Sequence, residues 1–133
     1  MEEECSVLQG HTRGVNSVAF DPSGRFVATG GSDMTAKLWD LSPPDGATAK
    51  CVSTLKGHSG WVTSVAFHPS APYLATGSDD STAKLWLLNA DCSAATCVST
   101  LEGHSNGISS VAFHPSAPYL ATGSGDNIAK LWR

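Results

Sequence analysis

Each third of the chain carries a hydroxyl, an imidazole, a carboxylate and an indole at matching places: Thr29, His11, Asp33 and Trp39; Thr76, His58, Asp80 and Trp86; Thr122, His104, Asp126 and Trp132. Hydroxyl, imidazole and carboxylate are the parts of a nucleophilic hydrolase, in which the imidazole takes the proton of the attacking hydroxyl and the carboxylate orients the ring. Two considerations oppose that chemistry. Threonine is a hindered nucleophile when it is not N-terminal, and a site in every third would need an oxyanion hole in every third. The four groups serve better as a hydrogen-bond chain. An indole N–H only donates, a hydroxyl and a neutral imidazole each donate and accept, and a carboxylate only accepts. Indole to hydroxyl to imidazole to carboxylate therefore satisfies every member, with a charge-assisted end worth ~1.5 to 3 kcal/mol. The expectation is a structural network, with no catalytic residue and no cofactor.

Such sets must be placed by a repeated scaffold, and the repeat is plain. Gly10-His11 recurs as Gly57-His58 and Gly103-His104, and Lys37-Leu38-Trp39 recurs as Lys84-Leu85-Trp86 and Lys130-Leu131-Trp132, at spacings of 47 and then 46 residues. Ser53 to Trp86 and Ser99 to Trp132 share 26 of 34 aligned positions, which makes these two units near copies. Within a unit the pattern has period two. Short runs rich in β-branched and aromatic residues (Val15 to Phe20, Phe26 to Thr29, Ala36 to Trp39) predict strands. Asp21-Pro22-Ser23-Gly24 supplies one reversal and Gly30-Gly31-Ser32-Asp33 is expected to supply the next. In the later units the first turn becomes His68-Pro69-Ser70-Ala71-Pro72 and His114-Pro115-Ser116-Ala117-Pro118. A further run, Cys51 to Leu55, precedes the next Gly-His and completes a four-stranded antiparallel meander.

These motifs, with an Asp six residues before each Trp, resemble the WD-repeat β-propeller family over nearly the whole chain. Only Trp39-Asp40 carries the eponymous dipeptide, since Leu87 follows Trp86 and Arg133 follows Trp132. The resemblance implies an all-β fold of four-stranded blades set radially around a channel. It also implies that the Trp, Thr, His and Asp side chains tie outer strands to inner ones. The expected division is one repeat domain over 1–133: a displaced fourth strand at 1–9, blade 1 at 10–56, blade 2 at 57–102, and blade 3 at 103–133 without its own fourth strand.

Composition narrows the partners. Eight Lys and Arg against 12 Asp and Glu, with no basic cluster, argue against nucleic acid and against a polybasic membrane contact. No apolar run approaches the ~20 residues of a membrane span, and the acidic start Met1-Glu2-Glu3-Glu4 does not read as a secretory signal. Cys51 and Cys97 are repeat equivalents, Cys5 is a near equivalent, and Cys92 is extra. That placement reads as packing in a reduced protein, although Cys92 and Cys97 are near enough in sequence to bridge. The expected setting is intracellular, cytoplasmic or nuclear. His68 and His114 lack a second ligand at metal spacing and read as solvated turn residues, so no metal is expected.

Partner binding is expected on loops, which vary without disturbing the ladders. The units differ after Gly-His, at Arg13, Trp61 and Asn106, and in the second turn, at Met34, Ser81 and Asn127. Trp61 and Arg13 are the strongest anchors by residue type, while Trp61 covering inner strand edges is the competing use. The joints Leu41 to Lys50 and Leu87 to Thr96 read as plain connectors on the opposite face.

Two functions remain open: a non-enzymatic scaffold for a protein or peptide, or an amplified or engineered repeat module whose property is self-assembly. A ligand pocket repeated in every unit fits less well, because the loops differ. Three blades sweep only about 130 to 180° of a four- to eight-bladed ring. The chain is therefore expected to close with copies of itself, the strand containing Cys5, Val7 and Leu8 completing the blade of Leu131 in another copy. A six-bladed homodimer is the first expectation and a nine-bladed homotrimer the second.

Overall fold

The computed structural model describes residues 5–43 and 48–133, and Met1 to Glu4 lie outside them. Among the described residues there are strands and no helix, hence no helix long and apolar enough to cross a membrane. Sheet 1 contains β1 (Val15–Phe20), β2 (Phe26–Gly31), β3 (Ala36–Asp40) and β4 (Lys50–Leu55). Sheet 2 contains β5 (Val62–Phe67), β6 (Tyr73–Ser78), β7 (Ala83–Leu88) and β8 (Ala95–Leu101). Sheet 3 contains β9 (Ile108–Phe113), β10 (Leu120–Ser124) and β11 (Ala129–Trp132). Each is an antiparallel meander in sequence order. The registers repeat: Thr29 opposes Lys37, Thr76 opposes Lys84 and Thr122 opposes Lys130.

The turns explain why the chain reverses where it does. In sheet 1 the Asp21 carboxylate accepts from Phe26 N at 2.9 Å and from Ser23 Oγ at 2.8 Å, while Gly24 takes φ 78°. In the other two sheets a histidine replaces the aspartate. His68 Nδ1 accepts from Ser70 N and Ala71 N at 3.1 and 2.9 Å, and His114 Nδ1 accepts from Ser116 N and Ala117 N at 3.0 and 2.9 Å. These imidazoles cap turns rather than simply facing solvent.

The second reversal lies later than the glycine pair suggests. Gly30 and Gly31 belong to β2, and the left-handed residue is Met34, with φ 70°. Gly30 is instead required by packing: a Cβ there would stand 2.7 Å from Val62 Cγ1 of the next sheet. Gly77 meets Ile108 Cγ2 at the same 2.7 Å.

The sheets pack face to face in chain order, with β5 lying between β1 and β9. The core between sheets 1 and 2 is built from Leu38, Leu55, Val62, Val65, Leu74 and Trp86, and is closed at one end by Leu88 and Cys92. The Leu87 to Thr96 joint is therefore more than a connector. Its ends extend β7 and begin β8, and Leu88 at the end of β7 and Cys92 in the loop are buried in that core, with Ala95 packed against it. Between sheets 2 and 3 the cluster of Ala75, Ala83, Ile108, Val111 and Leu120 has no such plug. Residues 5–9 form no strand within this chain, and Val7 is exposed.

Candidate functional site

In every sheet the four polar side chains converge. His11 Nε2 lies 2.7 Å from Thr29 Oγ1, His11 Nδ1 lies 2.9 Å from Asp33 Oδ2, and Trp39 Nε1 donates to Thr29 Oγ1 at 2.9 Å. The corresponding distances are 2.7, 2.8 and 3.0 Å for His58, Thr76, Asp80 and Trp86, and 2.8, 2.8 and 2.9 Å for His104, Thr122, Asp126 and Trp132. The aspartates also accept from the backbone after each histidine, at Thr12 N, Ser59 N and Ser105 N. Among the described residues, no buried side-chain nitrogen or oxygen lacks a partner.

Electrostatics fix the direction of the chain. Burial pushes the Asp33 and Asp80 carboxyl groups up, but hydrogen bonds from Thr35 or Thr82 and from the imidazole outweigh it and bring both to about 2. Burial likewise opposes ionisation of Asp126, and hydrogen bonds from His104, Ser105 and Ile128 bring it to about 2. An ionised carboxylate can only accept, so Nδ1 carries the imidazole proton and the Thr hydroxyl donates to Nε2. Burial pushes His58 down despite the neighbouring Asp80, which keeps that imidazole neutral at pH 7.

These distances are those of a hydrolytic triad, but the hydroxyl is not available to a substrate. Thr76 is fully buried, its proton goes to His58, and the indole of Trp86 occupies a lone pair. The pentapeptide Gly103-His104-Ser105-Asn106-Gly107 spells Gly-x-Ser-x-Gly. A nucleophile elbow is a strand-to-helix turn, whereas this segment links β8 to β9.

The loops after each histidine and the β2–β3, β6–β7 and β10–β11 turns share one end of the sheets, pinned together by Ser32 N to Gly14 O, Asp79 N to Trp61 O and Gly125 N to Gly107 O. Trp61 is 52% exposed there, Arg13, Met34, Asn106 and Asn127 are exposed, and Ser81 is half-buried. Adjacent loops touch, since a Cβ on Gly107 would lie 2.9 Å from Asp79 Oδ1. Cys5, Val7 and Leu8 are not brought together with Leu131, which is 56% exposed at the far flank. The described cysteines are all free thiols, and burial pushes Cys92 up to about 11.

Several contributors are not apparent from residue type alone. The Thr35 and Thr82 hydroxyls donate to Asp33 and Asp80 at 2.8 and 2.7 Å, and Ile128 removes that contact in the third unit. An alignment of the units would flag that position, because two are Thr and one is Ile. Two grooves open at the other end. One of about 510 Å³ is lined by Arg25, Asp40, Lys50 and Asp91. The other, of about 340 Å³, is lined by His68, Tyr73, Leu101, Phe113, Tyr119 and Trp132 where sheets 2 and 3 lack a plug.

Antiparallel meanders stacked through apolar faces, each with the same buried Trp-Thr-His-Asp chain, define a class of blade-built repeat proteins. The family described as "WD domain, G-beta repeat" matches residues 2–40, 49–86 and 95–133, and the chain belongs to that family. The second and third matches begin just before β4 and at the start of β8 and end at Trp86 and just past Trp132, so each straddles two sheets, whereas the first ends at Asp40 within sheet 1. The chain is similar to protein pleiotropic regulator PRL2 of Arabidopsis thaliana, 56% identical over 27% of this chain and 8% of that protein. It is similar to protein pleiotropic regulatory locus 1 of the same plant, 53% identical over 27% of this chain and 7% of that protein. A ribosome biogenesis protein BOP1 homolog of Aedes aegypti is 38% identical over 36% of this chain and 5% of its own length. The alignments therefore cover under a tenth of each relative. WD-repeat proteins are generally non-enzymatic scaffolds and commonly bind proteins.

Proposed function

We propose that this chain is a non-enzymatic scaffold that presents its histidine-side loops to a protein or peptide, in an intracellular setting with its cysteines reduced. The observation that carries the reading is Trp61, a large aromatic residue left 52% exposed on a rigidly tied loop. Arg13, one position before the equivalent of Trp61 in the preceding loop, supplies with Met34, Ser81, Asn106 and Asn127 the varied rim around it. Aromatic and Arg anchors of this kind dominate binding energy at interfaces, whereas the buried networks hold the loops in place. Capture from lysate, comparing the chain with its Trp61→Ala, Arg13→Ala double variant, tests this. A partner held by the parent and lost with the double change supports the scaffold; a partner held equally by both overturns this face.

The near identity of the second and third units favours a second reading, an amplified repeat module with no selected partner. Recovery of no partner supports that one. We propose that two copies form a six-bladed ring in which residues 1–9, 10–56, 57–102 and 103–133 act as displaced strand and successive blades. The strand of Cys5, Val7 and Leu8 then pairs beside Leu131 of the other copy. Light scattering at micromolar concentration reads this directly: twice the chain mass is expected, three times supports the nine-bladed trimer, and the chain mass alone overturns closure.

A further inference from the structure

The two outer faces of the array are halves of an interface that the chain already contains twice. At the first junction, Val62 stands over Gly30, Asn16 Nδ2 donates to Val62 O at 3.1 Å, and Ser17 Oγ accepts from Val65 N at 3.2 Å. At the second, Ile108 stands over Gly77, Thr63 Oγ1 donates to Ile108 O, and Ser64 Oγ accepts from Val111 N at 3.2 Å. Each junction thus has an apolar knob over a glycine, a side chain reaching the knob's carbonyl, and a hydroxyl meeting an N–H three residues on.

The tail face of sheet 3 repeats one side of this set. Gly123 occupies the place of Gly30 and Gly77, and a Cβ there would meet nothing within 4 Å. Ser109 Oγ donates to Gly123 O at 3.2 Å, as Thr63 Oγ1 does to Gly77 O at 3.1 Å, but has no carbonyl across the junction. Ser110 occupies the place of Ser17 and Ser64. The head face of sheet 1 repeats the other side. Val15 and Val18 are 49% and 67% exposed where Val62 and Val65 are buried, and Phe20 is exposed beside them.

Resting on the self-assembly reading above, the geometry points to a second copy of this chain as the occupant, docked head to tail: Val15 over Gly123, Ser109 reaching Val15 O, and Val18 N donating to Ser110 Oγ. The contact is carried by blade faces as well as by the exchanged strand. It is heterologous, so it propagates until the rotation closes a ring. The match of knob to hole is what selects a copy of the same chain over an unrelated partner, because the same knob and hole meet at both internal junctions.

The test compares the full chain with Gly123→Val and Val18→Asp by light scattering at micromolar concentration, with circular dichroism to check folding. Gly123→Val adds atoms only where the single chain has space, and Val18 is exposed, so both variants keep the parent's spectrum. The expected result is an associated parent and two variants at the chain mass, with at least a tenfold loss of apparent affinity. An associated parent whose variants associate equally overturns the face-to-face contact and leaves self-assembly standing through the strand alone. A parent at the chain mass overturns both. If one variant loses its fold, the other decides between these outcomes.

Discussion

At the scale of single residues, Asp80 shows why a triad-like set can be purely structural. It accepts from His58, from Ser59 N, and from both the backbone and the hydroxyl of Thr82, so Asp80→Ala strands several donors in a half-buried site. Chemical denaturation should show a loss of about 1.5 to 3 kcal/mol. Asp126→Ala should lose less, because Ile128 offers no hydroxyl to strand. The pH dependence follows from the same groups. His58 is held below its ordinary value, so its contribution is fully present above about pH 6.5 and fades as the pH falls below that. The aspartates, held at about 2, contribute above about pH 4 and lose that contribution as the pH falls from there through 2. Denaturation midpoints should therefore be level between about pH 7 and 8 and fall in two stages on acidification. A midpoint that rises between pH 7 and pH 5 would contradict the neutral imidazole.

At the scale of elements, the β2–β3 turn and its two equivalents place a non-glycine residue in the left-handed region: Met34 at φ 70°, Ser81 at 74° and Asn127 at 69°. Asn tolerates that conformation, whereas Met and Ser carry a steric cost of roughly 1 kcal/mol. Met34→Asn and Ser81→Asn should each raise the unfolding free energy by up to about 1 kcal/mol in denaturant titrations. The same turn shows where sequence reading stops. Strand positions are legible because hydrophobic period and turn residues agree, and the quartet of Trp, Thr, His and Asp is legible because each member recurs. The glycine pair misleads, since glycine signals a turn by its freedom and equally signals a close approach by its missing Cβ. At Gly30 the reason lies in Val62, 32 residues away, and no local pattern carries that. Leu88 and Cys92 are missed for a similar cause: a polar-looking joint hides two apolar residues whose burial depends on the neighbouring sheet.

At the scale of the whole molecule, stability is unevenly distributed. Sheet 2 is covered on both faces, while Val15, Val18 and Phe20 on one flank and Leu131 on the other are left open. Burying those flanks through a second copy makes folding and association one equilibrium, and the melting temperature of such a system depends on protein concentration. For two chains unfolding together, a hundredfold rise in concentration adds about 2.7 kcal/mol. Unfolding entropy of about 2.1 cal/mol/K per residue turns that into a rise of about 5 °C. Gly123→Val should melt at one temperature whatever its concentration, because its fold is intact and only the docking face is blocked. A parent whose melting temperature is equally insensitive over that range would mean that its open flanks contribute nothing to stability in solution, and that the sheets stand by their internal junctions alone.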